Sequence, residues 1–160
     1  MRWLVSGLAG FLAAAFVALA GAGGWLYWYR VERHGEQTTR DELVPLAKDE
    51  IPKVLGYDYQ TVETSLTEAY PLLTPDYRRI FEDRATSTII PQARSGQVIS
   101  QVTVVGVGVM AAQRISGSVL VYVNRTVSSK SNEPLYEGSR VRVDYAKVRG
   151  KWLINDIRPI

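Results

Sequence analysis

Cysteine is absent from the 160 residues and histidine occurs once, at His34. The first absence removes disulfides, thiolate zinc sites and cysteine nucleophiles; it does not fix a compartment. The second removes histidine-pair metal motifs and leaves any Ser-His-Asp arrangement hanging on one side chain. Glycine-rich phosphate loops are missing too: Gly106-Val107-Gly108 lacks both the third glycine and the following helix. The net charge of +3 is too small to argue for nucleic acid. His34 stands in a polar stretch with no partner for chemistry, so it reads as a solvated side chain. A single domain is the expectation for this length.

What is present begins with hydrophobicity. From Trp3 to Tyr29 there are 27 consecutive residues without a charge. As a helix that run spans about 40 Å, more than the roughly 30 Å of a bilayer's hydrocarbon. Trp3 opens it, and Trp25, Tyr27, Trp28, Tyr29 and Arg30 close it with four rings and a cation, the composition of a headgroup belt. Gly10 and Ala14 form a small-xxx-small pair suited to helix contact within lipid. A cleaved signal peptide is the competing reading, with Ala18-Leu19-Ala20 as its cleavage site. The length of the run and the aromatic belt beyond that site favour an uncleaved anchor over residues 1–30. Arg30, Arg33 and Arg40 after the segment outnumber Arg2 before it, and counting alone leans towards a cytoplasmic domain.

The remaining charge is split along the chain. Residues 32–83 hold 12 acidic and 6 basic groups, whereas residues 84–160 hold 4 acidic and 11 basic groups. Opposite halves of this kind either complement each other within one fold or face different partners.

Residues 31–42 read as a polar juxtamembrane stalk, in which Thr39 and Glu42 have the form of a capping box. Leu43, Ala47, Ile51, Val54 and Leu55 then share a helical face, and Pro45 and Pro52 predict a broken or bent helix over about 40–55. Gly56 to Tyr59 marks a turn, and Asp58 is placed to cap a second helix through Val62, Leu66, Ala69, Tyr70 and Leu73. Thr74-Pro75-Asp76 starts a third, lined by Tyr77, Ile80, Phe81 and Ala85. Pro91 and Ser95-Gly96 end the helical half.

From Val98 the pattern is β. Val98–Met110 is valine-rich, with Gly106 and Gly108 indicating a bulge or bend. Val119, Val121 and Val123 alternate with Leu120 and Tyr122, which predicts an interior strand. A polar loop is expected over 128–134. Val141, Val143 and Tyr145 alternate with Arg140, Arg142 and Asp144, and Trp152 and Ile154 point inward from the last strand. Helices gathered before a sheet mean an α+β domain over residues 43–160, three helices on a four-stranded antiparallel sheet.

No catalytic, cofactor-binding or metal site follows from these residues. Asp144 with Tyr122 or Tyr145 is the one acid–phenol pairing, but alternation sends Asp144 and Tyr145 to opposite faces, leaving Asp144 beside Arg140 and Arg142. Arg125, Lys130, Arg140, Arg142 and Lys147 form the candidate interaction face, basic enough to meet anionic lipid or an acidic protein surface. No nucleic acid partner is expected.

Several strings resemble the Mce-associated membrane proteins of actinobacteria: Leu55-Gly56-Tyr57-Asp58-Tyr59, Leu73-Thr74-Pro75-Asp76-Tyr77-Arg78, Val119-Leu120-Val121-Tyr122-Val123-Asn124 and Lys151-Trp152-Leu153-Ile154, behind an anchor. Pro75, where members often carry glycine, and Arg125, where glutamine is common, are surface-type departures. The resemblance implies a cone-shaped domain like nuclear transport factor 2, or cystatin-like, lying outside the cytoplasmic membrane, against the charge count. It also implies a non-catalytic accessory of Mce-type lipid or sterol importers, with transporter subunits or other membrane proteins as partners. Two alternatives stand beside it: a small-lipid binder or isomerase-like enzyme using the cone cavity, and a self-associating secretion-assembly subunit. A concave face filled by Trp152, Leu120 and Phe81 would remove the first.

Overall fold

The computed structural model describes residues 35–130 and 132–160, with Ala20, Gly24 and Trp25. The apolar run is therefore outside the described residues apart from those three. Trp25 is helical and 70 % exposed, while Trp3, Tyr27, Trp28, Tyr29, Arg30, Gly10 and Ala14 fall outside. Among the described residues no helix is long and apolar enough to cross a membrane.

Helix α1 covers residues 35–55 without interruption, so of the broken or bent helix expected there the break does not occur. Pro45 is exposed and Pro52 half-buried, so each ring avoids the core. An interior proline costs about 3 kcal/mol or more. Leu43, Ala47, Ile51 and Val54 are at most 2 % exposed on the opposite stripe, and each large apolar side chain returns about 1.5–3 kcal/mol. Continuity preserves that stripe.

Strand β1 (Tyr57–Asp58) follows, then α2 (Val62–Ala69), a 3-10 turn (Tyr70–Leu72) and α3 (Pro75–Arg84). A π-helical turn (Ala85–Ile89) joins α3 to α4 (Ile90–Gly96), making 75–96 one helical run and giving three helical segments over the described residues 35–96. The widened turn lies just before Pro91, which cannot donate to the preceding turn. The hydroxyl of Thr86 donates to the carbonyl of Glu82 at 2.9 Å.

Three caps were expected and one forms. The backbone N–H of Tyr77 donates to Thr74 Oγ1 at 3.4 Å, with Pro75 at the first helical position and Asp76 in the first turn. Asp58 instead accepts from the Gln60 N–H at 2.9 Å, an Asx turn that precedes α2 without capping it. Thr39 lies inside α1, not at its start. Ile80, expected on the buried side of α3, is 57 % exposed; the core stripe takes Tyr77 and Phe81.

The sheet is an antiparallel meander of β1 to β5 in chain order, with β2 Ile99–Ala112, β3 Ser116–Ser129, β4 Asn132–Val148 and β5 Lys151–Pro159. The fifth strand beyond the expected four is β1, whose two residues pair with Ile99 and Ser100. The bulge signal of Gly106 is borne out by a register shift between Val104 and Gly106; a second lies between Val109 and Ala111. The loop predicted over 128–134 is mostly strand, because Thr126 and Val127 pair with Tyr136 and Leu135.

Helices cover one face. Val119, Val121, Val123, Val141, Val143, Tyr145 and Ile154 meet the stripes of α1, α2 and the 75–96 run in one core. Gly117 on β3 is where α1 comes closest: a Cβ there would overlap Leu43 Cδ1 and lie 3.2 Å from the Ala111 carbonyl oxygen. Leu43 is fully buried, so a shift of its side chain would displace its neighbours in the core. Gly117→Ala is expected to cost about 1–3 kcal/mol of unfolding free energy through overpacking, read from urea or thermal unfolding.

Candidate functional site

Three polar clusters stand on this frame. The first is interior and lies outside every sequence expectation. Glu50, on α1, is 5 % exposed and Tyr145, on β4, is 2 % exposed. They interact across the core, yet Glu50 Oε2 and Tyr145 Oη complete no hydrogen bond. Burial pushes the Glu50 carboxyl up to about 7, opposed by Tyr145 and reinforced by the charge of Asp49. Burial, then Glu50, pushes the Tyr145 phenol up as well. The signal was present: residues 43, 47, 50 and 54 keep the 4-3-4 spacing of a helical seam, and Glu50 is its only acid.

The second cluster lines a cavity of about 430 Å³ between the 75–96 run and the sheet. Val54, Leu66, Phe81 and Val123 contribute apolar walls, and Arg84, Arg125 and Glu137 contribute charge. The three side chains whose filling of the concave face would have removed the cavity alternative do not fill it together. Phe81 lines it, but Leu120 points to the other side of β3 and Trp152 lies towards α1, where its indole N–H donates to Glu42 Oε2 at 2.6 Å. That bond, ahead of an opposing effect of burial and the help of Lys147, lowers the Glu42 carboxyl pKa.

The third cluster is the outer sheet face. Asp144 accepts from Arg142 at 2.9 Å and from Arg158 at 2.6 Å, and Arg158 also pairs with Asp156 at 2.8 Å. Asp144 is thus an ordinary cross-strand charge, back to back with Tyr145, and the acid–phenol pairing does not occur. Beside it Val105, Met110 and Tyr122 are exposed at 64 %, 50 % and 45 %.

The five cations read as one face are distributed over several. Arg140 and Arg142 share the outer face; Arg125 opens into the cavity and donates to Ser100 Oγ at 2.9 Å. Lys130 sits in the β3–β4 turn, and Lys147 pairs with Glu42 at 3.4 Å over the Trp152 ring. Strand alternation sends odd and even positions apart, so clustering in sequence does not give clustering in space. Among the described residues no group of three or more His, Asp or Glu is arranged to hold a metal.

No family model matches the chain. It is 28 % identical over 151 residues to an outer membrane protein of Mycobacterium tuberculosis, covering 94 % of both chains. It is 29 % identical over 143 residues to an uncharacterized protein of the same organism, covering 88 % of this chain and 65 % of that one. Among solved structures it is similar to an IcmL-like type IV secretion system protein from Legionella pneumophila, with a TM-score of 0.63, 11 % identity and coverage of 76 % and 93 %. The periplasmic domain of DotI gives 0.63, 11 %, 74 % and 92 %; the VirB8 protein of Agrobacterium tumefaciens gives 0.54, 13 %, 69 % and 84 %. At these identities the structural likeness is one of fold.

Glu50 generates a pH prediction. Its folded pKa lies above its unfolded value, so the contribution of Glu50 to stability is most favourable below about 4.5, falls as the unfolded state loses its proton, and levels off above about 7. The loss amounts to roughly 3 kcal/mol. Glu50→Gln is expected to flatten that slope and to be the more stable protein at pH 8, measured by urea unfolding between pH 4 and 8.

Proposed function

We propose that this chain is a membrane-anchored, non-catalytic subunit of an envelope complex, and that its domain holds a neighbouring membrane protein by strand addition at β2. The observation that carries the reading is the open edge of that strand. Of its 14 residues only Ile99 and Ser100 pair with β1, and among the described residues no strand pairs with the rest of that edge. From Ile99 to Ala112 there is neither a charge nor a proline. Soluble domains usually guard such an edge, and an unguarded one accepts a partner's strand. On the opposite side of the sheet, the stretch 133–139 of β4 carries Glu133, Pro134 and Glu137, and the edge strand β5, met by Leu73 at Ile154, carries Lys151, Asp156, Arg158 and Pro159, so both are guarded.

The end-to-end likeness to an outer membrane protein supports an envelope setting, and the fold likeness to type IV secretion components supports an assembly role. The resemblance to Mce-associated proteins narrows the partner to subunits of an Mce-type lipid or sterol importer, with the domain outside the cytoplasmic membrane. Affinity purification from detergent-solubilised membranes is expected to recover importer subunits. Deletion of the gene is expected to lower their levels and lipid uptake together; unchanged levels with unchanged uptake would refute the scaffold. Placing lysine on the edge in Thr103→Lys with Val105→Lys should abolish co-purification while altering stability by no more than about 0.5 kcal/mol per exposed site.

The cavity favours a second reading, a small amphiphile bound with its charge at Arg84 and Arg125. Val102→Phe narrows the cavity. The scaffold predicts undiminished subunit levels and uptake in that variant, whereas a cavity binder predicts lost uptake with normal subunit levels.

A further inference from the structure

The antiparallel meander brings two hairpin tips to the same end of the sheet. One is Gln113 to Ile115, between β2 and β3; the other is Arg149-Gly150, between β4 and β5. The first described turn of α1 is at this end as well, since Gly35 lies against the side-chain stem of Arg114, with Cγ 3.7 Å from where a Cβ would be. Only five residues, 30–34, separate Gly35 from the end of the apolar run at Tyr29. If that run is the anchor, this end faces the bilayer at close range.

Its chemistry suits that position. Arg114, Arg149 and Lys151 are exposed, and none makes an ion pair among the described residues. Ile115 is 64 % exposed between them, held by its carbonyl, which accepts from the Lys147 N–H at 2.8 Å. Arg149 has a φ of 50°, in the left-handed region that favours glycine or asparagine, so the cation occupies a turn position where a cheaper residue was available. Of the acids near this end, Glu36 is exposed in the first described turn of α1, and Glu82, which shares a surface pocket with Arg149 and Lys151, is paired with Arg78. Arginine and lysine around a single projecting apolar residue are the composition of an interfacial contact with anionic lipid.

We infer that the two hairpin tips form a second, electrostatic contact with the membrane, in which Arg114, Arg149 and Lys151 meet anionic phospholipid headgroups and Ile115 enters the interface. This rests on the anchor reading proposed above. The contact would hold the domain upright on its tether, with the β3–β4 tip farthest from the bilayer.

The lack of native cysteine makes the test direct. The full chain carrying Ile115→Cys, or separately Tyr136→Cys at the far end, is labelled with an apolar fluorophore. It is then reconstituted into phosphatidylcholine vesicles with or without phosphatidylglycerol, containing headgroup spin-labelled lipid as quencher. Strong quenching at 115 and weak quenching at 136 is expected, only in the anionic vesicles and abolished by high salt. Each cation is worth about a fivefold change in the docked-to-free ratio. Arg114→Gln, Arg149→Asn and Lys151→Gln together should therefore bring quenching at 115 to the phosphatidylcholine level; asparagine keeps the turn. Equal quenching at both positions, or equal quenching at 115 in both lipids, overturns the inference while the anchor stands, provided the chain resists alkaline carbonate. A chain that carbonate strips from both vesicle types overturns the anchor and this inference together.

Discussion

The seat of α1 on the sheet is the constraint from which the rest follows. The helix is tied along its whole described length. Thr39 donates from Oγ1 to the Gln113 carbonyl at 2.9 Å, Glu42 takes the Trp152 indole N–H, and Leu43 sits over Gly117. Further on, Glu50 meets Tyr145, and the Leu55 carbonyl accepts from Ser100 Oγ at 3.5 Å. These contacts touch the β2–β3 turn, β5, β3, β4 and β2 in succession. Moving the helix by one turn would break all of them at once, so its register is fixed by polar groups at its ends and packing between them.

That seating explains why an expensive group is tolerated. A carboxyl in the middle of the seam costs stability above its raised pKa, and an apolar residue there would remove the cost. The apolar stripe on either side is completely buried, so the total survives one poor position. The outer face works the other way: Asp144 is shared by two arginines in partly wetted surroundings, where ion pairs contribute little to stability but keep like charges apart.

Much of this was legible in the residues. The valine alternation of β3 and β4 gave their buried faces, because in a strand the side-chain period leaves no choice. Thr74-Pro75-Asp76 named the start of α3 for reasons local to the backbone. The misses share another cause. Pro45 and Pro52 are helix breakers locally, and only the depth of the α1 stripe shows that the helix continues through them. Asp58 and Thr39 match capping patterns, but their oxygens were claimed by an Asx turn and by a turn 74 residues away. The cavity and the scattering of the five cations depend on how helices and strands meet, and the periodicity of one element does not encode that.

The frame also relates the two surfaces to each other. Strands β2 to β4 run between the end that bears Arg114 and Arg149 and the end that bears the β3–β4 turn. If the first end meets the bilayer as proposed above, the open edge of β2 would stand along the membrane normal, from the interface outwards. A strand added there would belong to a protein standing beside this one, rising from the same membrane, and not to a soluble factor capping it from above. Lateral contact of that kind needs the domain held at a fixed height and tilt. In the proposed arrangement the anchor would supply height and the two basic tips would supply tilt, because a domain resting on one point can lean and one resting on three cannot.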